Sequence, residues 1–536
     1  MNDKIYIYDT TLRDGTQGEE ISFSAEDKVK IAQHLDSFGV DFIEGGWPGS
    51  NPKDMEFFER MKSIKLHHAK LAAFGSTCRA GSTPEADENV NQLLRAETPV
   101  VTIFGKSWDM HVKEALGTTE ERNLEIIHDT VKYLKSRHKE VVYDAEHFFD
   151  GYKSNPEYAL TTIRAAESGG ADFIVLCDTN GGTMPDDVAR ITETAASTVK
   201  ISLGIHAHND SELAVANSLA AIKAGCVQVQ GTINGFGERC GNANLCSIIP
   251  NLQLKMGREV LSKERLKKLT ELSRYVNEVA NLQPRKNLPY VGQSAFAHKG
   301  GVHVSAVMKS ARTYEHIEPG VVGNSRRVLV SDLSGKSNVL YKAQELGVGI
   351  PGSNGQATAI VNELKALENE GYVFEDADAS LAILMRRDVG ELEIPFELEA
   401  LRIITEKKAN AGVTHTEAVI KLRVGDKIEH TAAEGNGPVN ALDNALRKAL
   451  LQFYPQLQET KLSDYKVRVV DGNEGTSAKV RVLIETTDED SNWNTVGVSE
   501  NIIEASWKAM VDSIVFKLMK DNDKSKSNKS HSEVVK

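Results

Sequence analysis

This chain of 536 residues has few of the features that mark secreted, nucleic-acid-binding or membrane proteins. Its five cysteines are an odd number without a Cys-x-x-Cys pair, so we expect a reduced, cytoplasmic protein without a disulfide framework. Acidic residues (76) outnumber Lys and Arg (63), and the net charge of -13 argues against nucleic acid or an anionic membrane as a partner. No apolar run approaches the ~18 residues of a membrane span, and the N-terminal segment does not resemble a signal peptide.

A Gly-x-Gly-x-x-Gly turn after the first strand is also absent, which argues against an open, doubly wound sheet. The N-terminal half instead contains eight short apolar runs, each ending in polar or glycine residues and followed by a helix-patterned segment. They are residues 5–8, 42–43, 71–74, 100–104, 141–143, 173–176, 201–205 and 227–229. Because this alternation is typical of parallel strands joined by helices, it predicts an α/β fold, a (β/α)8 TIM barrel with its chemistry at the carboxyl ends of the strands.

The chain is too long for one hydrophobic core, so further domains are expected after the barrel. We predict a catalytic barrel over 1–282, helical linker subdomains over 283–390, a C-terminal α+β domain over 391–520 and a disordered tail, rich in Lys, Ser and Asn, over 521–536. In the α+β domain, strands at 400–404, 418–424, 465–470 and 478–485 are interleaved with helices at 438–453 and 500–520. This order predicts two related halves.

The seventh apolar run leads into His206 and His208, which are separated by one residue. On a β-strand, residues i and i+2 point to the same side, so both imidazoles can bind one divalent ion. For an isolated pair, two solvated side chains on a half-exposed strand are the alternative. The eight-stranded pattern favours the metal site, because strand ends that carry Asp, Glu and Asn residues converge on the same mouth of a barrel.

Three segments carry a family resemblance. They are Asp9-Thr-Thr-Leu-Arg-Asp-Gly-Thr-Gln17 after the first strand, His206-Ala-His-Asn-Asp210 at the seventh and Gly235-Phe-Gly-Glu-Arg-Cys-Gly-Asn-Ala243 after the eighth. Together they resemble the signature regions of the acetyl-CoA-dependent α-isopropylmalate, homocitrate and citramalate synthases, and the resemblance covers nearly the whole chain. The chain departs from it at Glu212, where many members have glycine. We expect Glu212 to start the following helix, where an acidic side chain suits the helix dipole.

The resemblance implies a divalent metal ion bound by Asp14, His206, His208 and Asn242. One carboxylate, two imidazoles and one amide oxygen suit Zn²⁺, Mn²⁺, Co²⁺ or Mg²⁺ and do not choose among them. The metal would chelate a 2-oxo acid and act as a Lewis acid on its ketone. Arg13 would hydrogen-bond the developing alkoxide, and a salt bridge at the barrel mouth is the alternative for this side chain.

The resemblance also implies residues that handle the two substrates. Glu146 would position substrate and handle protons, and Thr179 would hydrogen-bond the carboxylate of the keto acid. His303 and Tyr314 match a His and a Tyr that the family brings from a linker subdomain, commonly that of the partner subunit. A histidine suits general-base work, although a lone His in a glycine-rich loop is otherwise a surface residue. Which group takes the proton from the methyl group of acetyl-CoA is left open.

The segment at 44–54, after the second strand, resembles the citramalate subgroup and predicts pyruvate as the keto acid. Trp47 would either shrink the pocket towards a methyl group or pack away from the substrate. Lys106 is a candidate cation for a second substrate carboxylate, a solvated rim lysine or a partner of Glu44. The alternative functions in this family are α-isopropylmalate synthesis from 2-oxoisovalerate and homocitrate synthesis from 2-oxoglutarate.

The C-terminal domain resembles the family's allosteric dimer domain. The resemblance implies a homodimer with an amino-acid effector, and isoleucine is the expected effector. Residues 435–440 and 497–500 are predicted to turn into two helices whose N-termini can bind a carboxylate, with ordinary helix capping as the alternative. Two other function classes differ in what they require. A metal-dependent lyase or carboxyltransferase of the same barrel superfamily would lack the linker and C-terminal domain, and a non-catalytic amino-acid sensor would not need the metal residues.

Overall fold

The computed structural model describes residues 4–350, 354–407, 414–470 and 472–534. The chain divides into two compact units. The first contains the residues up to Phe296 together with Ile317–Arg326, and the second contains Ala297–His316 together with the residues from Arg327 onward. The domain boundaries predicted after residues 282, 390 and 520 stay predictions. The two units are defined by packing, and the chain returns once to the first unit, so their limits do not test boundaries along the sequence.

Eight parallel strands form a closed barrel in the first unit, as the sequence predicts. They are β1 (Tyr6–Asp9), β2 (Phe42–Gly46), β3 (Lys70–Ser76), β4 (Val100–Lys106), β5 (Glu140–Glu146), β6 (Phe173–Asp178), β7 (Ser202–Ala207) and β8 (Gln228–Gly231). The barrel closes where β1 pairs with β8, with Tyr6 opposite Gln228. Every strand extends beyond its predicted apolar run at the carboxyl end, because polar and glycine residues there continue the backbone pairing.

Helices alternate with these strands. They are α1 (Ala25–Phe38), α2 (Pro52–Met61), α3 (Glu88–Arg95), α4 (Asp109–Glu114), α5 (Glu120–Ser136), α6 (Phe148–Ser154), α7 (Pro156–Gly169), α8 (Pro185–Thr198), α9 (Ala214–Lys223), α10 (Leu245–Pro250), α11 (Lys263–Leu266) and α12 (Leu269–Val279). Local sequence determines several of their ends. Ser24 and Asp27 form a reciprocal capping box at α1, and Pro156 is the first residue of α7, where its missing N–H costs no hydrogen bond.

The interior of the barrel changes from apolar to polar towards the carboxyl ends of its strands. An apolar cluster of Tyr8, Phe42, Ala72, Val100, Val142, Val175 and Cys177 fills part of it. Because side chains alternate along a strand, Asp144 and Glu146 follow Val142 on the same inward face of β5. Apolar side chains therefore fill one part of the barrel interior, and ionisable side chains lie at the end where the loops begin. Cys177 and Cys226 are buried packing residues, as predicted.

The second unit begins with a short parallel pair, β9 (Ala297–His298) and β10 (Arg327–Val328), and four helices. The helices are α13 (Gly301–Lys309), α14 (Lys336–Glu345), α15 (Asn354–Asn369) and α16 (Asp378–Asp388). Two three-stranded antiparallel sheets follow, each with one helix, which confirms the predicted α+β halves. The halves are β11 (Glu397–Lys407), β12 (Thr414–Val424), β13 (Lys427–Gly435) and α17 (Pro438–Leu450), then β14 (Lys461–Val469), β15 (Val480–Thr487), β16 (Asn492–Ser499) and α18 (Ile502–Val534).

Two expectations for the C-terminal region differ from the structure. Residues 497–499 belong to β16 instead of forming a turn, and α18 begins at Ile502 after Asn501, whose side-chain oxygen accepts a hydrogen bond from the Ile503 N–H at 2.9 Å. This is ordinary capping. The tail predicted to be disordered over 521–536 continues α18 as far as Val534, and residues 535–536 lie outside the described part of the chain. Among the described residues, no helix is long and apolar enough to cross a membrane.

Candidate active site

A cavity of about 220 Å³ lies at the carboxyl ends of the barrel strands. It is lined by Arg13, Asp14, Gln17, Trp47, Phe74, Phe104, Asp144, Glu146, Cys177, Thr179, His206, His208, Glu238 and Arg239. Six of the nine predicted catalytic, substrate-binding and metal-binding residues are in this set, although they lie at or after the carboxyl ends of four different strands. They are Arg13, Asp14, Glu146, Thr179, His206 and His208.

Three buried side chains in this cavity, Asp14, His206 and His208, lie close enough together to hold a divalent metal ion. The Nε2 atom of His206 lies 3.5 Å from Oδ2 of Asp14 and 3.3 Å from Nε2 of His208. Burial lowers the pKa of His206 to about 3 and also lowers that of His208, so both rings are neutral near pH 7, the form that binds metals. Burial alone would raise the pKa of Asp14, but the charge of Arg13 opposes it and the pKa falls to about 2.

Asn242, the fourth predicted ligand, lies beside this triad. Its Nδ2 donates hydrogen bonds to Oδ1 of Asp14 at 3.1 Å and to the carbonyl of Phe236 at 3.0 Å. Within the described residues its buried Oδ1 has no hydrogen-bond partner, which fits an oxygen ligand for a metal. Gly237, with a φ of 150°, allows this placement, since a Cβ there would lie 2.2 Å from Nδ2 of Asn242. One carboxylate, two imidazoles and one amide oxygen therefore fit a divalent ion.

Gln230 on β8 orients the first imidazole. Its Oε1 lies 3.0 Å from Nδ1 of His206, and its Nε2 donates to Oδ1 of Asp144 at 3.0 Å. Because the amide oxygen faces the ring, Nδ1 carries the proton, and the lone pair of Nε2 points towards Asp14 and His208. Neither Gln230 nor Asp144 was identified from the sequence. The available signal was a polar residue at an inward position of an otherwise apolar strand.

We expect Gln230→Leu to weaken Mn²⁺ binding by roughly 10–100-fold, because the His206 ring loses the acceptor that sets its tautomer. Calorimetry on metal-stripped protein measures this affinity. Gln228→Leu is the matched control: Gln228 is on the same strand and buried, and its side-chain atoms have no hydrogen-bond partner in the described part of the protein. Equal Mn²⁺ affinities in the two variants would contradict the role of Gln230.

Arg13 is held by two carboxylates and one aromatic ring. Its Nε donates to Oε1 of Glu44 at 2.5 Å, and its Nη1 donates to Oδ2 of Asp14 at 3.0 Å. Its guanidinium carbon lies 3.5 Å from the centre of the Phe74 ring. The salt bridge that the sequence left as an alternative is therefore present. It also holds the guanidinium at the cavity wall, beside Asp14.

Glu146 forms an ion pair with Lys106 across the ends of β5 and β4. The possibility that Lys106 pairs with Glu44 is therefore wrong, because Glu44 is bound by Arg13. Thr179 accepts a hydrogen bond from the backbone N–H of His147 at 2.9 Å. Its hydroxyl hydrogen is consequently available to a ligand in the cavity.

His303 and Tyr314 lie in the second compact unit, whereas the cavity belongs to the first. His303 is on α13, and Tyr314 follows the short helical turn Ala311–Thr313. Their rings stack with centroids 4.2 Å apart and an interplanar angle of 30°. The structure thus brings these two residues together, and their part in catalysis stays a prediction.

Glu212 does not start a helix, in contrast to the expectation from the sequence. Its φ is 60°, and α9 begins two residues later at Ala214. Glycine adopts this left-handed conformation without strain. The glycine of many family members at this position is therefore explained by backbone geometry.

Comparisons with known proteins cover almost the entire chain. A family model described as HMGL-like matches residues 4–276, one described as homocitrate synthase post-HMGL domain-like matches 290–372, and the LeuA allosteric (dimerisation) domain matches 375–518. The chain is 58% identical to the (R)-citramalate synthase of Aquifex aeolicus, over 98% of this chain and 99% of the relative. It is also 58% identical to the (R)-citramalate synthase of Geobacter sulfurreducens (97% and 98% covered), and 34% identical to a probable 2-isopropylmalate synthase of Methanopyrus kandleri (95% and 98% covered).

Proposed function

The chain belongs to the HMGL-like family and, within it, to the (R)-citramalate synthases, and we propose from this that it condenses acetyl-CoA with pyruvate and hydrolyses the thioester to give (R)-citramalate and free CoA. The methyl carbon of acetyl-CoA loses a proton and bonds to the ketone carbon of pyruvate. Water then releases CoA. The observation that carries the proposal is the convergence of Arg13, Asp14 and the two histidines on one cavity.

The proposed roles at the ketone follow from the contacts of each side chain. Asp14, His206, His208 and Asn242 would hold a divalent ion, which would supply Lewis-acid activation of the carbonyl. Arg13 would donate a hydrogen bond to the ketone oxygen as negative charge develops there. Because Glu44 and Asp14 already orient the guanidinium, little reorganisation is required when the substrate binds.

The remaining predicted residues would act on the other substrate groups. Thr179 would donate its free hydroxyl hydrogen to the carboxylate of pyruvate, and Glu146, paired with Lys106, would position substrate and handle protons. His303 and Tyr314 would reach acetyl-CoA from the linker, commonly that of the partner subunit in this family. The match to a LeuA dimerisation domain supports a homodimer.

The charges around the cavity favour a keto acid with a single carboxylate. Both arginines that line it are already paired with carboxylates of the protein, Arg13 with Glu44 and Asp14, and Arg239 with Asp210 at 2.8 Å. A second substrate carboxylate, as in 2-oxoglutarate, would have to compete with these pairs. Pyruvate makes no such demand.

The proposal is tested by the release of CoA thiol from acetyl-CoA with Mn²⁺ and each of three keto acids. We expect kcat/KM for pyruvate to exceed that for 2-oxoisovalerate by at least about 100-fold, since each extra carbon in a tight apolar pocket is worth ~1–3 kcal/mol. 2-Oxoglutarate should be similarly poor. Comparable values for 2-oxoisovalerate would favour α-isopropylmalate synthesis, and cleavage of citramalate without CoA release would favour a lyase.

We also propose that isoleucine binds the C-terminal α+β domain and lowers activity. The match to a LeuA allosteric domain supports this, as does a cavity of about 710 Å³ beside the start of α17. Val439, Leu457 and Leu462 contribute apolar surface to this cavity. Asp443 and Arg447 also line it and form an ion pair with each other at 3.0 Å.

We expect Val439→Trp to abolish isoleucine binding and inhibition while uninhibited activity remains, because the indole would obstruct the cavity and leave the core of the domain packed. Calorimetry with isoleucine, leucine and valine measures binding, and initial rates measure inhibition. Val467→Trp, at an exposed strand position of the same domain that does not line this cavity, is the control. If the wild-type protein binds none of the three amino acids, the effector proposal is wrong, and dimerisation is the remaining proposed role of this domain.

A further inference from the structure

One wall of the active-site cavity is apolar, and it consists of few residues. Among the side chains that line the cavity, only Trp47, Phe74, Phe104 and Cys177 are apolar, and the others are charged or polar. The Trp47 ring meets Phe74 and Phe104 edge to face, with centroids 5.7 and 5.6 Å apart, while the two Phe rings stack at 5.5 Å. The hydrocarbon end of a bound keto acid therefore has this aromatic wall as its favourable neighbour.

Two side chains hold Trp47 in place. Its backbone N–H donates to Oδ2 of Asp54 at 2.8 Å, and its indole Nε1 donates to Oδ1 of Asn89 at 2.7 Å. Asp54 is itself in a buried ion pair with Lys28 at 2.5 Å. Backbone and ring are thus tied separately, so the indole is not free to rotate away from the cavity.

Asn89 connects the indole to the strand that carries Phe74. It is on α3, and its Nδ2 donates to the backbone oxygen of Ser76, the last residue of β3, at 2.9 Å. This bond orients the amide so that the oxygen faces Trp47. The oxygen is closely enclosed, since a Cβ at Gly75 would lie only 3.0 Å from it. The amide therefore has little space in which to turn.

We propose that Trp47 sets the upper size of the keto-acid side chain, and that Asn89 is a positioning residue that acts only through Trp47. The inference rests on the proposed condensation. A half-buried indole without its Nε1 bond can move outward, and the space it leaves accommodates a branched side chain. A rigid indole resists this movement, and discrimination between a methyl and an isopropyl group depends on such resistance.

The first test is the ratio of kcat/KM for pyruvate to kcat/KM for 2-oxoisovalerate in Asn89→Ala. We expect this ratio to fall about 10-fold, because one methylene of discrimination in an apolar pocket corresponds to 10–200-fold. The ratio is insensitive to the fraction of folded protein, so a merely structural role would not change it. Asn91→Ala is the matched control: Asn91 is on the same helix and equally half-buried, but its side chain bonds a loop carbonyl, and the ratio should stay at the wild-type value.

The second test is a double-mutant cycle with Trp47→Ala. Trp47→Ala alone should lower the ratio about 100-fold, and adding Asn89→Ala should change it by less than about twofold, because the residue through which Asn89 acts is then gone. Additive effects of the two changes would overturn the positioning role, and an unchanged ratio in Trp47→Ala would overturn the size limit.

If either alanine variant does not fold, Trp47→Phe provides a milder change, because it removes only the Nε1 bond and part of the ring. It should also lower the ratio, and an unchanged ratio there would overturn the inference. Failure of the wild-type protein to use pyruvate would instead reject the proposed function.

Discussion

Protein with Asp14 or His208 replaced by alanine should bind no metal and should turn over more than about a thousandfold more slowly than the wild type. Each change removes one of three buried ligand groups whose atoms lie within 4.8 Å of one another. Polarisation of a ketone by a bound metal is worth several kcal/mol, which corresponds to rate factors of this size. Metal content after dialysis and the rate of CoA release are the two measurements.

His67→Ala provides the control for these variants, since His67 is exposed and lies away from the triad. It should retain full metal content and activity. Full metal occupancy in the His208→Ala protein would mean that the metal centre has been assigned to the wrong residues.

Arg13→Ala should retain the metal and lose turnover by about 100–1000-fold, the usual cost of removing one hydrogen-bond donor to a developing oxyanion. The change leaves Glu44 buried without its cationic partner, which by itself destabilises a protein. The double variant Arg13→Ala, Glu44→Gln removes that uncompensated charge, so it separates stability from catalysis. Wild-type turnover in either folded, metal-loaded variant would assign Arg13 a structural role alone.

The sequence predicted the barrel and the location of its chemistry for the same reason. Apolar runs of strand length are a local signal, and a closed barrel necessarily gathers the residues after its strands at one mouth. The pair His206 and His208 could therefore be placed together with acids and amides from other strand ends, although these are far apart in the chain. Asp14 and Asn242 as metal ligands required the resemblance to a family, because a single Asp or Asn after a strand carries no signal of its own.

Contacts between side chains of different strands were much harder to predict. The chain order does not reveal that Lys106 faces Glu146 or that Gln230 bridges His206 and Asp144, since each pairing depends on the register between strands and on rotamers. The strands β13 and β16 were missed for a related reason. Their sequences, such as Lys427-Ile-Glu-His-Thr, are largely polar and carry no clear apolar pattern. Backbone pairing with a neighbouring strand determines their strand conformation instead.

We infer that this cavity performs a metal-dependent condensation of acetyl-CoA with pyruvate. The most direct measurement quantifies CoA and citramalate from one reaction mixture, with chiral chromatography of the product, before and after the metal is removed by a chelator and restored. We expect one molecule of (R)-citramalate for each CoA released, no product after chelation, and recovery when Mn²⁺ is added. CoA release without citramalate, or citramalate formation that survives chelation, would contradict the claim.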